Sequence, residues 1–287
     1  MSEVIIIGSG PAGVSAALYT ARAGLDTTIL TMGSGSLSKA EAIENYYGFE
    51  TPISGKELAD AGIEGAKNVG VNFVREEVVG IGFNGKLVIE TIKNNYEAYS
   101  VILATGSSRA TPNIKGIKEF EGKGVSYCAV CDAFFYKGKN VCVLGNSEYA
   151  AHEITSLLQV AGSVTLLTNG EKAIVKFPDE VNIIEKEISF ASGSDRMEKI
   201  QFSDGTSILT DGIFVAYGVA GSTALARKIG AEINGNSIVV DENMKTTIPG
   251  LYAAGDCTGG LLQISKAVYE GAKAGIEAIK YVKSKHK

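Results

Sequence analysis

The sequence predicts an α/β protein of two Rossmann-like, three-layer ββα-type domains, the second inserted into the first. Three observations carry that prediction. The glycine loop Gly8-Ser9-Gly10-Pro11-Ala12-Gly13 sits between a β-branched run and a helical stretch. A second strand-loop-helix pattern opens at Asn140 and turns at Gly145. A third segment, 246–256, ends in Gly255-Asp256 and leads into a last helical pattern, so the end of the chain returns to complete the first domain. The expected partition is 1–112 with 216–287 for the first domain and 113–215 for the inserted one.

The elements follow in order. Glu3 to Ile7 is β-branched and apolar without alternation, the mark of a strand buried on both faces of a parallel sheet. Val14 to Ala23 reads as a helix ended by Gly24, and Asp26 to Leu30 as the next strand, which makes a βαβ opening. Ser54 to Val69 is an amphipathic helix. From Val71 to Leu103, short strands broken by Gly80, Gly82 and Gly85 predict a meander. Pro112 and Gly116 mark a linker. Asn140 to Leu144, a helix to about Ala161 and Val164 to Leu167 form the second βαβ unit, and the last helix starts near Leu262.

Composition narrows the function classes. The chain has 287 residues, 45% hydrophobic and 21% charged, with a net charge of −5, ordinary for a globular protein and long enough for a sizeable core. It contains 35 glycines, well above the usual share of about 7%, as tight turns and close backbone-to-ligand contacts require. No basic footprint suggests nucleic acid; the lysine-rich tail 280–287 reads as a solvated helix end. No apolar run approaches the roughly 18 residues of a membrane span, and Val4-Ile5-Ile6-Ile7 is too short for a signal segment. Four cysteines with one CxxC and no secretion signal point to a reducing, cytoplasmic setting and a catalytic pair.

Two motifs carry chemistry. Gly8, Gly10 and Gly13 fit GxGxxG between a strand and a helix: the first allows the tight turn, the second lets backbone N–H groups reach a pyrophosphate, the third packs helix on strand. The acidic residue that often grips the ribose is missing from Leu30-Thr31-Met32, so that contact must come from elsewhere. Cys128-Ala-Val-Cys131-Asp132 is the second motif. Two cysteines at this spacing pass two electrons by making and breaking one disulfide, the thiolate of one being activated by its neighbours, and the adjacent acid can move the accompanying proton. A zinc half-site would need two more ligands, and Cys142, Cys257, His152 and His286 offer no second pair at zinc spacing, so no metal is expected. Cys142 and Cys257 read as packing cysteines, and His152 as a surface or satisfied histidine.

On these residues the chain resembles the low-molecular-weight flavin thioredoxin reductases. The glycine loop, Ile43-Glu44-Asn45-Tyr46, Ala104-Thr105-Gly106, the Cys128–Asp132 motif and the segment 246–256 occur in that family's order, over essentially the whole chain. The resemblance implies FAD held by Gly8, Gly10, Pro11, Ala12, Gly13, Asn45, Ala104, Thr105, Gly106, Gly255, Asp256 and Gln263. It implies Cys131 as the flavin-proximal thiol, Cys128 as the thiol that attacks thioredoxin, Asp132 as general acid and base, and a homodimer.

The second glycine loop departs from the family. It reads Gly145-Asn146-Ser147-Glu148, with Ser147 where a glycine lets the pyrophosphate approach and an acid in the same turn. The stretch 168–176 lacks the arginines that clamp the 2′-phosphate of NADPH, and lysine lacks their bidentate fork. Gly35-Ser36-Leu37-Ser38 departs beside the flavin as well. In these losses the chain is similar to the ferredoxin-dependent flavin thioredoxin reductases, which implies ferredoxin as donor. The alternatives are an FAD-dependent dithiol oxidase, an NAD(P)H-dependent thioredoxin reductase with an atypical nucleotide site, and a flavoprotein redox sensor without turnover.

Overall fold

The structure is a computed structural model; it describes residues 2–33, 35–106, 113–218 and 221–286, without the side chains of Val130 and Cys131. Pro112, expected in a linker, lies outside the described residues. The chain divides into two compact units, one of residues 1–108 and 221–287, the other of 109–220.

In the first unit, β1 (Val4–Ile7) leads through the glycine loop into α1 (Pro11–Arg22), followed by β2 (Thr27–Leu30), α2 (Gly55–Asn68) and β3 (Asn72–Val74). Helix α1 begins three residues before the sequence pattern suggests. Pro11 at its first position is pre-set for helical φ, so the glycine loop passes directly into the first turn. Ser54 caps α2 in a reciprocal capping box with Glu57. Strands β4 (Val78–Phe83), β5 (Leu87–Thr91) and β6 (Asn95–Ala98) form a separate antiparallel sheet, and β7 (Ser100–Leu103) rejoins the parallel one.

The second unit opens with β8 (Val125–Ser126) and the short helix α3 (Ala129–Asp132). Then come β9 (Asn140–Leu144), α4 (Glu148–Leu158), β10 (Ser163–Leu167) and β11 (Asn182–Ile184). An antiparallel trio, β12 (Ile188–Gly193), β13 (Met197–Phe202) and β14 (Ser207–Leu209), precedes β15 (Gly212–Val215).

The chain then re-enters the first unit with α5 (Ser222–Lys228), the hairpin β16 (Ile233–Asn234) and β17 (Ser237–Ile238), β18 (Leu251–Ala253) and α6 (Ile264–Lys285). The parallel sheet of the first unit runs β18-β7-β1-β2-β3, and that of the second runs β11-β10-β9-β15-β8. Each unit thus combines a five-stranded parallel sheet with a three-stranded antiparallel one, the Rossmann-like plan expected from the sequence.

Each unit has its own core. Val4, Ile6, Ile29, Ile102 and Tyr252 pack with Ala12, Ala16 and Ala274 of α1 and α6 in the first. Leu144, Leu167, Met197, Ile200 and Ile213 pack together in the second. Strands β1 and β7 are buried at every position, so their apolar runs have no polar alternation.

Candidate active site

The parallel register brings three strand exits of the first unit to one edge. Ile7 lies beside Leu103, and Leu103 beside Ala253, so the loops after β1, β7 and β18 leave the sheet side by side. Those loops carry Gly8 to Gly13, Ala104 to Gly106, and Gly255 with Asp256. Crevices outside the carboxyl ends of such strands are where α/β sheets bind dinucleotides.

The glycine loop has the geometry that a pyrophosphate needs. Gly8 has φ +112°, and a Cβ there would run into the Ala104 carbonyl; one at Gly13 would run into the Gly8 carbonyl. Gly10 differs, because a Cβ built on it meets no protein atom within 4 Å. The backbone is therefore open towards that space, which a side chain would fill. Gly10 is the N-cap of α1, with no side-chain cap and no acid in the first turn, so the helix presents free N–H groups. The helix dipole adds only about 0.3–1 kcal/mol for an exposed anion, so hydrogen bonding by those amides has to carry most of the grip. These features fit FAD.

The end of β2, which lacks an acid, is tied to the glycine loop by Ser9 Oγ and Thr31 Oγ1 at 2.7 Å. Thr105 Oγ1 meets Ser222 Oγ at 2.6 Å and accepts the Ser222 N–H at 2.7 Å. Asn45 Nδ2 donates to Gln263 Oε1 at 3.1 Å, joining two of the expected flavin contacts although 218 positions separate them. The Gly255-Asp256 turn is held from α6. Glu270 Oε2 accepts the Gly255 N–H at 2.8 Å, and Lys266 Nζ donates to the Gly255 carbonyl at 2.8 Å. Lys266 and Glu270 also pair at 3.1 Å. The sequence reading did not single out either residue, because a Lys/Glu pair one turn apart reads as a solvated face.

The redox turn lies in the second unit. Cys128 is disulfide-bonded and buried; the side chain of Cys131 lies outside the description. Ser126 Oγ donates to Asp132 Oδ2 at 2.7 Å and accepts the Cys128 N–H at 3.1 Å. From beneath, Glu153 of α4, 1% exposed, accepts the Ala129 N–H at 2.6 Å. Ser126 and Glu153 escaped sequence reasoning: a serine two residues before a CxxC and a glutamate in a helix carry no motif of their own. Cys142 and Cys257 are free and buried, and burial pushes each thiol up to about 11. They stay protonated and take no part in thiol exchange at neutral pH.

The second glycine loop is built differently from the first. Gly145 is required for packing, since a Cβ there would run into the Ala216 carbonyl. Ser147 is the N-cap of α4, but its hydroxyl turns away from the helix and donates to the Gly218 carbonyl. Glu148 puts an acid in the first turn, where α1 has none. Asn169, with φ +55°, uses its side-chain oxygen to accept the Ile188 N–H at 2.8 Å. Among the described residues no helix is long and apolar enough to cross a membrane.

The sequence pattern of the family described as pyridine nucleotide-disulphide oxidoreductase matches residues 2–271. The chain belongs to that family. It is similar to the thioredoxin reductase of Listeria innocua, 34% identical over 98% of this chain and 93% of the relative. The atypical thioredoxin reductase TRi from Desulfovibrio vulgaris Hildenborough superposes with a TM-score of 0.93 at 39% identity, covering 99% of both chains. A ferredoxin-flavin thioredoxin reductase from Clostridium acetobutylicum superposes with a TM-score of 0.74 at 33% identity, covering 99% of this chain and 98% of that one. Family members of the thioredoxin reductase type are FAD-binding flavoproteins.

Proposed function

We propose that the protein is a flavin-dependent thioredoxin-disulfide reductase whose electrons come from ferredoxin rather than NADPH. In this reading the unit of residues 1–108 and 221–287 is the FAD-binding domain, the unit of 109–220 is the inserted redox domain, and the enzyme works as a cytoplasmic homodimer. FAD supplies a carrier that can be filled one electron at a time and emptied as a pair.

The chain's own residues do the rest. The Cys128–Cys131 disulfide takes up two electrons and two protons to become a dithiol, with Asp132 moving a proton at the sulfur. Ser126 holds the Asp132 carboxylate in the same turn. The Cys128 thiolate then attacks thioredoxin's disulfide and forms a mixed disulfide. Cys131 attacks that bond, restores the internal disulfide and releases thioredoxin as its dithiol. Cys128 is 3% exposed, so the exchange also requires the turn to be uncovered.

The observation that carries the choice of donor is Ser147. Its Cβ stands where pyrophosphate approach needs glycine, and its hydroxyl is spent on the Gly218 carbonyl. The arginine-free stretch 168–176 points the same way, as does the likeness to the Clostridium acetobutylicum ferredoxin-flavin enzyme. A hydride donor must stack within about 3–3.5 Å of its acceptor, whereas a one-electron donor can work from a surface dock. Ferredoxins are generally acidic, so the rate should fall as salt screens the encounter.

The test is anaerobic thioredoxin reduction with NADPH, NADH and reduced ferredoxin in parallel. Turnover is expected with ferredoxin alone. Efficient turnover with NADPH and none with ferredoxin overturns the reading.

A further inference from the structure

The exits of β9, β10 and β15 are level, with Leu144 beside both Leu167 and Val215. This is the edge of the second unit where a parallel α/β sheet takes a dinucleotide. Here the three exit loops are laced to one another by side chains. Ser147, after β9, reaches the Gly218 carbonyl after β15. Asn146 Nδ2, also after β9, donates to Glu171 Oε2 after β10 at 2.6 Å. Tyr217 Oη, after β15, donates to Glu171 Oε1 at 2.6 Å. Both carboxylate oxygens of Glu171 are therefore held, one from each neighbouring loop.

The loop that carries Glu171 is itself locked. Thr168 Oγ1 donates to the Glu171 carbonyl, and the Ile174 N–H donates to the Asn146 carbonyl at 3.0 Å. The hydrogen bond from Tyr217 to Glu171 pushes the tyrosine hydroxyl up to about 12, so it remains a donor at any physiological pH. Asn146 is 7% exposed, and its amide is committed to this contact rather than turned to solvent.

We infer that Glu171, clasped between Asn146 and Tyr217, is a specificity-determining residue that excludes nicotinamide dinucleotides from this crevice. Its carboxylate bridges the β9 and β10 exits across the path a dinucleotide would take, and it places a negative charge where phosphates would have to lie. The site is closed by an added contact as well as by lost ones. This inference rests on the reading that the donor is not a pyridine nucleotide.

The experiment is titration of the oxidised holoenzyme with NADPH and with NADH, followed calorimetrically at low and high salt. The proteins are wild type, Glu171→Ala and Glu171→Gln. Glu171 is exposed, so neither change opens a core; unchanged circular dichroism and flavin content check this. Glu171→Ala, which removes both charge and bridge, is expected to bind NADPH at least about tenfold more tightly than wild type. Glu171→Gln removes the charge and leaves one acceptor oxygen in place of two, so part of the bridge stays; it should give a smaller gain that shrinks as salt rises. Wild-type affinity in both variants overturns the inference and leaves the donor reading standing. Rapid NADPH reduction of the wild-type flavin overturns both.

Discussion

Ser126 Oγ stands 2.7 Å from Asp132 Oδ2 and accepts the Cys128 N–H at 3.1 Å, so one hydroxyl ties the acid to the start of the redox turn. In the proposed mechanism Asp132 gives and takes a proton at sulfur, which requires its carboxylate to be held in a fixed position. Removing the Asp132 charge with Asp132→Asn should slow thioredoxin reduction by about 10²–10⁴-fold, the usual share of a general acid–base group. Ser126→Ala deletes both hydrogen bonds; the one to the carboxylate is worth about 1.5–3 kcal/mol, so a loss of about ten- to a hundredfold is expected, with a displaced pH–rate profile. An unchanged rate and profile would show that Ser126 does not position the acid.

Gly10→Val should yield a folded but colourless protein. A Cβ at this position meets no protein atom within 4 Å, so the fold tolerates it, while the branched side chain fills the space left for the pyrophosphate. Absorbance at flavin wavelengths, together with circular dichroism, separates the two effects. A yellow Gly10→Val protein with full flavin content sinks this loop as the FAD site.

The two thiols should behave differently when separated. With Cys131→Ser, the remaining Cys128 should trap a stable mixed disulfide with a thioredoxin that lacks its resolving cysteine. With Cys128→Ser, the remaining Cys131 thiolate should give a long-wavelength charge-transfer band with oxidised flavin, and no trapped complex. Non-reducing gels and visible spectra read both, and the opposite pattern reverses the roles.

Glu277 should make stability depend on acid pH. Lys280 Nζ donates to it at 2.6 Å and Lys245 Nζ approaches at 3.2 Å; Lys280, then burial against it and Lys245, set its balance, and the carboxyl is held below its usual 4.5. The folded state therefore binds this proton less tightly than the unfolded chain. The stabilisation is fully present above 4.5 and is lost as pH falls through the lowered value. Solvent around Lys280 keeps it near about 1 kcal/mol. Chemical denaturation of Glu277→Gln should show that deficit at pH 7 and a closing gap below pH 4.5.

Element order and fold class were readable because they follow from local rules. Apolar runs such as Val4 to Ile7 mark buried parallel strands, and glycine at 8, 10 and 13 marks a close backbone turn. The boundaries were less legible. Helix α1 starts at Pro11, inside the motif, and within the segment 246–256 only Leu251–Ala253 is a strand.

The sequence by itself determined which residues could carry chemistry: the glycine loop, Cys128, Cys131 and Asp132, the glycine missing at Ser147 and the arginines missing from 168–176. Only the tertiary structure decided who holds them. Ser126, Glu153, Glu270 and Glu171 are ordinary polar residues in the sequence; Ser126 becomes specific through the fold of its own turn, and the three glutamates through partners brought near by strand register or helix packing. Asn146 reaches Glu171 across 25 positions and Tyr217 reaches it across 46. Contacts of that kind depend on the parallel sheet aligning its strand exits, and no local pattern encodes that alignment.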